Sequence, residues 1–291
     1  MNKVKAFDRV RGWKSTTKWS IVLFLGVVSG VVVTMLGRIP QSLEFHNFAD
    51  RRSLLGFANS FDVISNLPFV VAGVLGVVFI LRQDSALTND QRWAYGTLFA
   101  GLILTAFGSA YYHLAPDNHR LVWDRLPMTI AMAGFITALV VDRFESKLLW
   151  LLPVTLFLGT GSVLQWNWSE QQGHGDMRWY GLYQGLTFLI GAALLLLFVS
   201  RRIGTREFVI ATIGNVAAKL LEVLDKPIYH LGGVVSGHTL KHLSAGLGFF
   251  PLVWLIARTK SVKSASAASA PETLSRGRDP SLRFGISEKD Y

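Results

Sequence analysis

The stretch Trp93-Ala-Tyr-Gly-Thr-Leu-Phe-Ala-Gly-Leu-Ile-Leu-Thr-Ala-Phe-Gly-Ser-Ala-Tyr-Tyr-His113 decides how this chain is read. It carries no acidic or basic side chain before its final histidine, it is rich in small residues, and its length matches the roughly 20 residues a helix needs to cross a bilayer. Comparable runs recur at 19–36, 60–81, 123–141, 148–166, 179–199, 208–224 and 238–257. Most are separated by short polar turns, so the expected architecture is all-α: one polytopic bundle of antiparallel transmembrane helices. A composition of 51% hydrophobic and only 16% charged residues agrees, being far from that of a soluble domain.

The net charge of +10 reports orientation rather than a nucleic-acid partner. Lys3, Lys5, Arg9, Arg11, Lys14 and Lys18 precede the first span, Arg201, Arg202 and Arg206 share one loop, and Arg258, Lys260, Lys263, Arg276, Arg278, Arg283 and Lys289 follow the last span. With both termini in the cytoplasm these residues fall on one side, as the positive-inside bias requires. No basic patch interleaved with stacking aromatics accompanies them, which argues against nucleic-acid binding. The first span is too long for a signal core and lacks a good cleavage site, so it is expected to be retained. The chain then divides into a basic cytoplasmic segment (1–18), an extra membrane helix and loop (19–44), a seven-helix membrane domain (45–258) and a cytoplasmic tail (259–291). The tail contains Ser264-Ala-Ser-Ala-Ala-Ser-Ala270, has no apolar periodicity and is expected to be disordered. The chain has no cysteine, which excludes disulfides, thiolate ligands and cysteine nucleophiles.

This topology gives weight to three short segments. The span 93–113 ends in Ser109-x-x-x-His113, the next opens near Asp124, and the last opens with His238-x-x-x-His242. All five side chains fall at one depth near the non-cytoplasmic face, and residues four apart share a helix face. Three imidazoles with a fourth position left to water form a catalytic zinc site, and zinc lowers the pKa of water to about 7. Asp124 could move the proton and Ser109 could donate to a developing oxyanion. Each spacing alone is common in membrane helices, so chemistry leaves metal and purely structural readings both open, although five polar groups at membrane depth favour a functional site.

The motifs Ser65-Asn66-Leu67, Ser109-x-x-x-His113, Asp124-Arg-Leu-Pro-Met128 and Ser236-Gly-His-Thr-Leu-Lys-His242 resemble, in order and spacing, those of the alkaline ceramidases. These are membrane amidases in a superfamily that also contains the progestin and adipoQ receptors. The resemblance runs from about Phe45 to Ala257 and implies a seven-helix core preceded here by one extra helix. It implies zinc on His113, His238 and His242, with Asp124 and Ser109 beside it, and hydrolysis of a ceramide-like membrane lipid to a sphingoid base and a fatty acid. Animal members also bind calcium through an acidic segment. Here Asp50, Asn59 and Asp62 could supply oxygens, but the full carboxylate set is missing and Arg51 and Arg52 oppose a cation. Two other outcomes share these residues: a lipid esterase, and a seven-helix receptor with structural zinc. A transporter would require matching interrupted helices in two halves, and no such repeat is present.

The remaining polar residues read as structural. Lys219, Glu222 and Asp225 recur three apart and are expected to form an internal ion-paired strip. His46, His119, His174 and His230 are expected to be solvated or interfacial. Trp19, Trp93, Trp123, Trp166, Trp168 and Trp179 are expected in an interfacial belt.

Overall fold

The computed structural model of the protein describes residues 12–54, 56–82, 85–144, 148–198 and 204–259. The basic residues up to Arg11, Arg201 and Arg202, and the tail from Lys260 with its expected disorder lie outside the described residues. The elements in chain order are α1 (Ser15–Met35), a 3₁₀ turn (Leu43–His46), α2 (Ser60–Ile64), α3 (Leu67–Leu81), α4 (Asn89–Leu114), α5 (Asn118–Phe144), α6 (Leu151–Gln171), α7 (Arg178–Leu197), α8 (Thr205–Val223), α9 (Asp225–Gly232), α10 (Gly237–Gly248) and α11 (Phe250–Arg258). Beyond helices, the described residues hold one isolated bridge, between Leu54 and Phe57.

Six helical stretches are long and apolar enough to cross a membrane: Ser15–Met35, Ser60–Leu81, Asn89–Leu114, Asn118–Phe144, Arg178–Leu197 and Gly237–Arg258. They suggest a multi-pass membrane protein. Helices also form where spans were expected at 148–166 and 208–224, but these two, α6 and α8, are more polar. The former ends in the run from Gln165 to Glu170, and the latter carries Arg206, Glu207, Lys219 and Glu222. Both pack within the bundle, α6 against α5 and α7, and α8 against α7, α10 and α11. Leu23, Phe24, Leu81, Phe107, Phe157, Leu220 and Trp254 stand exposed around the outside, an arrangement that suits hydrocarbon and not water.

The centre of the bundle is the α4–α5 hairpin. Thr88 and Gln91 close a capping box at the start of α4, satisfying its first backbone donors. The two helices touch backbone to backbone, because side chains are missing where they cross. A Cβ on Gly101 would stand 2.4 Å from Ala131 N, one on Gly134 2.2 Å from Leu98 N, and one on Gly108 1.9 Å from the Trp123 carbonyl oxygen. Such small-residue contact is the usual way for helices to associate where no hydrophobic force drives them together. The apolar core continues from Ala94, Leu98 and Leu102 through Ala131, Phe135 and Leu139 to Phe208, Leu252 and Ile256.

One expectation about the aromatic residues changes here. Trp166 is fully buried rather than interfacial: the Arg125 guanidinium lies 4.3 Å from its ring centroid, and its indole N–H donates to Glu170 at 3.0 Å. Trp93, Trp123 and Trp168 are exposed at helix ends, as a belt requires. His46 bridges Tyr112 Oη at 2.8 Å and Asn118 Oδ1 at 2.9 Å and is partly buried, so it ties the loop before α2 to the α4–α5 turn.

Candidate metal centre

His113 ends α4, and His238 and His242 lie one turn apart on α10; all three are buried. Their ligand atoms lie within 4.8 Å of one another. His113 Nε2 and His238 Nε2 are 3.3 Å apart, and the three rings stand nearly edge to face with centroids 4.8–4.9 Å apart. Two ligands held at 2.0–2.1 Å by a tetrahedral zinc are themselves about 3.3 Å apart, so this nitrogen pair fits that ion. Among the described residues this is the group of His, Asp and Glu side chains that could hold a metal.

Each ring is held by a different device. The helix break between α2 and α3 leaves the Asp62 carbonyl without a backbone partner, because Asn66 N–H turns to Val63 instead. Three side chains take that carbonyl: Asn66 Nδ2 at 2.8 Å, Ser65 Oγ at 3.0 Å and His242 Nδ1 at 3.1 Å. Ser65 Oγ also stands 2.8 Å from His242 Nδ1, so Nδ1 carries the proton and Nε2 keeps its lone pair. The Ser65-Asn66 motif thus orients the His242 ring, a role its spacing did not reveal.

His238 is held through its backbone. Ser236 accepts from Thr239 N–H at 3.0 Å and starts α10, and Asp225 Oδ1 accepts from His238 N–H at 2.8 Å while its Oδ2 accepts from Ala49 N–H at 2.9 Å. Gly237 makes this approach possible, since a Cβ there would meet the Leu221 carbonyl at 2.3 Å. Gly233, at φ 65°, reverses the chain after α9. Asp225 therefore anchors the histidine helix and does not extend an ion-paired strip; Lys219, Glu222 and Lys241 form that ionic group without it.

His113 is positioned by α4 itself, and its carbonyl accepts from Asn59 Nδ2 at 2.9 Å; its Nδ1 is buried without a hydrogen-bond partner. Phe48 covers the group from the loop before α2, its ring centroid 4.7 Å from that of His113 and 4.4 Å from that of His238. Nothing in the sequence marked Phe48 beyond its being an apolar residue in a polar loop.

Ser109 and Asp124 face a common cavity with His242. Both are buried, and Ser109 Oγ, which makes no hydrogen bond of full geometry within the protein, lies close enough to the Asp124 carboxylate to donate to it. The cavity has a volume of about 100 Å³ and is partly open to the outside. Its polar end holds these residues with Lys219, Glu222 and Lys241, and its depth is walled by Leu102, Met128, Met132, Phe135, Phe188 and Phe249. From Asp124 to Phe135 the wall spans eleven residues of α5, about 16 Å of helix.

Of the residues considered for calcium, Asp50 accepts from Arg52 Nε at 2.9 Å and from a terminal Arg52 nitrogen at 2.6 Å, Asp62 Oδ1 accepts from Thr239 Oγ1 at 2.7 Å while its Oδ2 is buried without a partner, and Asn59 Nδ2 donates to the His113 carbonyl. Comparison of the chain with models of protein families and with curated proteins gives no match.

Proposed function

We propose that this protein is a membrane amidase of the alkaline ceramidase type, hydrolysing the amide of a ceramide-like lipid at a zinc centre on His113, His238 and His242. One observation carries the reading: a buried three-histidine group reaches, through His242, the end of a largely apolar cavity that Ser109 and the Asp124 carboxylate also line. Zinc bound there supplies Lewis acidity, which activates water and polarises a carbonyl. Ser109 Oγ donates to the carbonyl oxygen as negative charge builds on it. The Asp124 carboxylate takes the proton of the attacking water and passes it to the leaving nitrogen, so that a C–O bond forms as the C–N bond breaks. The apolar wall below holds a hydrocarbon chain and keeps bulk water out, and both termini lie in the cytoplasm with the site near the opposite face.

The test is turnover of matched ceramides and ester lipids by the purified protein, with and without a chelator, beside Asp124→Asn and His113→Ala. Loss of a general acid–base group lowers the rate by about 10²–10⁴-fold, so Asp124→Asn is expected to fall in that range with zinc retained. Full activity in chelator removes the zinc mechanism. Ester cleavage without amide cleavage moves the assignment to a lipid esterase.

A further inference from the structure

Every polar side chain lining the cavity has a partner or a part in amide hydrolysis, except one. Ser109, Asp124 and His242 belong to the reacting end, and Glu222 takes both lysines, Lys219 at 2.6 Å and Lys241 at 2.9 Å. The threonine hydroxyls bond back to their own helices: Thr105 to the Gly101 carbonyl at 2.8 Å, Thr187 to that of Tyr183 at 2.9 Å and Thr212 to that of Phe208 at 2.9 Å. Two of the three carboxamides do likewise, Asn66 Nδ2 donating to the Asp62 carbonyl at 2.8 Å and Asn215 Nδ2 to that of Ala211 at 2.9 Å. The third is Gln184 on α7. Among the described residues its side chain makes no hydrogen bond, although its nitrogen can donate and its oxygen can accept.

The helix fixes where this group sits. Tyr180, Thr187 and Gly191 share the buried side of α7, whereas Gly181, Gly185 and Leu189 are exposed; Gln184, half-buried, stands on the buried side at the cavity wall. Two contacts set its depth. The Arg125 guanidinium lies 4.8 Å from the Tyr180 ring centroid, and Tyr183 Oη donates to the Thr129 carbonyl at 3.3 Å. Gln184 therefore stands near the level of Thr129, five residues beyond Asp124 on α5, or about 7 Å of helix. Long helical side chains lean back toward their N-terminus, which for α7 is the end beside Arg125, so the carboxamide lies toward the reacting groups.

A carboxamide at membrane depth with no partner costs free energy, and polar groups kept there normally mark a ligand. A hydrocarbon chain gives it nothing to bond. A neutral hydroxyl satisfies it, accepting from Nε2 or donating to Oε1, whereas an anion would call for arginine or lysine at this position. In a lipid amide whose scissile bond lies at Ser109 and Asp124, the hydroxyls that come to this depth are those two or three bonds from the amide, on carbon 2 of the acyl chain or carbon 3 of the base.

We propose that Gln184 is a specificity-determining residue that hydrogen-bonds a hydroxyl carried beside the scissile amide, so that the enzyme selects hydroxylated lipid amides over those lacking that hydroxyl. This rests on the amide-hydrolase reading and narrows its substrate class.

The experiment compares kcat/KM of the purified, zinc-containing protein on three lipids of equal chain length: a ceramide, its 3-deoxy analogue, and the same ceramide with a 2-hydroxyacyl chain. The parent is expected to favour the hydroxylated member of at least one pair by about tenfold, as when a buried polar group is left unpaired by the poorer substrate. In the nearly isosteric Gln184→Met that ratio falls close to one, and zinc content reports that the centre is intact. A ratio that falls only in the 3-deoxy comparison assigns the hydroxyl to the base, and one that falls only in the 2-hydroxyacyl comparison assigns it to the acyl chain. Should Gln184→Met be recovered without zinc, Gln184→Ala supplies the same comparison. Equal turnover within both pairs by the parent overturns the proposal while leaving amide hydrolysis standing, and a ratio that survives in the variant overturns it too. If no lipid amide is cleaved, the amidase reading fails separately, and equilibrium binding of the same three lipids decides the role of Gln184. Tighter binding of a hydroxylated lipid by the parent than by Gln184→Met supports it, and equal binding ends it.

Discussion

Replacing Gly108 by alanine tests how the fold sets the site. Gly108 precedes Ser109 on α4, and its closest neighbour is the carbonyl of Trp123, which precedes Asp124 on α5. That carbonyl lies four residues before Pro127, which has no N–H to give it, so it is left facing the neighbouring helix. A methyl at Gly108 would stand 1.9 Å from the Trp123 oxygen, 2.8 Å from its carbon and 3.3 Å from Pro127 Cγ, whereas ordinary contact begins at 3.4 Å. The oxygen and carbon belong to backbone, so no rotamer change removes the clash, and the helices must part by about 1.5 Å to restore contact to the oxygen. Overpacking of this kind costs about 1–3 kcal/mol. A displacement near 1 Å between groups that must act together lowers turnover by about 10²-fold. The assay is thermal unfolding of the detergent-solubilised protein with zinc content and lipid-amide turnover measured in parallel. Gly181→Ala is the control, because a Cβ there meets nothing within 4 Å and alanine favours the helix by about 0.5–1 kcal/mol. Gly108→Ala unfolding at or above the parental temperature, with zinc and turnover unchanged, would show that α4 and α5 do not meet through this carbonyl.

Three further outcomes follow from individual contacts. Ser65→Ala removes the closer partner of His242 Nδ1 but leaves the Asp62 carbonyl at 3.1 Å. Zinc affinity is therefore expected to fall by only about tenfold, the low end for loss of an orienting hydrogen bond, and competition with a chelator measures it. Asp225→Ala strips the acceptor from both His238 N–H and Ala49 N–H, which costs about 1–3 kcal/mol in denaturant unfolding; an unchanged midpoint would contradict the anchoring role. Between α6 and α7 the Arg178 guanidinium holds the Asp176 carboxyl below the usual carboxylate range, and the same arginine donates to the Leu36 carbonyl just after α1. Because the folded-state pKa is depressed, this stability is present above the unfolded value of about 4 and is lost as pH falls through the lower folded value. Limited proteolysis of the α1–α7 connection should therefore increase only in that acid range, and Asp176→Asn should make it pH-independent.

The sequence was most legible where a residue's chemistry and its helix position gave the same answer. His113, His238 and His242 could be brought together because apolar runs of membrane length set the depth of each, and a spacing of four set its face. Helix boundaries were readable for the same reason, with the expected span 179–199 appearing as Arg178–Leu197 and a helix forming at Thr205–Val223 where 208–224 was expected, although its charges keep it out of the six candidate spans. What could not be read was anything fixed by a backbone group. The freed carbonyls of Asp62 and Trp123 have no residue signature beyond a nearby Asn or Pro, and each determines where a site residue points. Asp225 misled because its three-residue spacing from Glu222 implies a shared face, whereas α8 ends at Val223 and Asp225 starts a new helix. Trp166 misled because an aromatic near a helix end has two stable environments, and a buried guanidinium beside it was not foreseeable from spacing.

These contacts place the site on two helix pairs, each packed through glycine. Ser109, His113 and Asp124 ride on the α4–α5 hairpin, whose helices meet backbone to backbone at Gly101, Gly108 and Gly134. His238 and His242 ride on α10, which meets α8 in the same way: a Cβ on Gly237 would stand 2.3 Å from the Leu221 carbonyl, one on Gly214 would stand 2.9 Å from the Ser244 carbonyl, and Ser244 Oγ donates to the Gly214 carbonyl at 2.9 Å. Polar contacts then orient what these helices carry, Asp225 at the N-terminus of α10 and Ser65 with the Asp62 carbonyl at the His242 ring. Helices in backbone contact have little room to shift, because no side chain can change rotamer to relieve them. A metal on the three histidines would therefore be placed by folding from both pairs at once, with Ser109 and Asp124 held at a fixed position beside it.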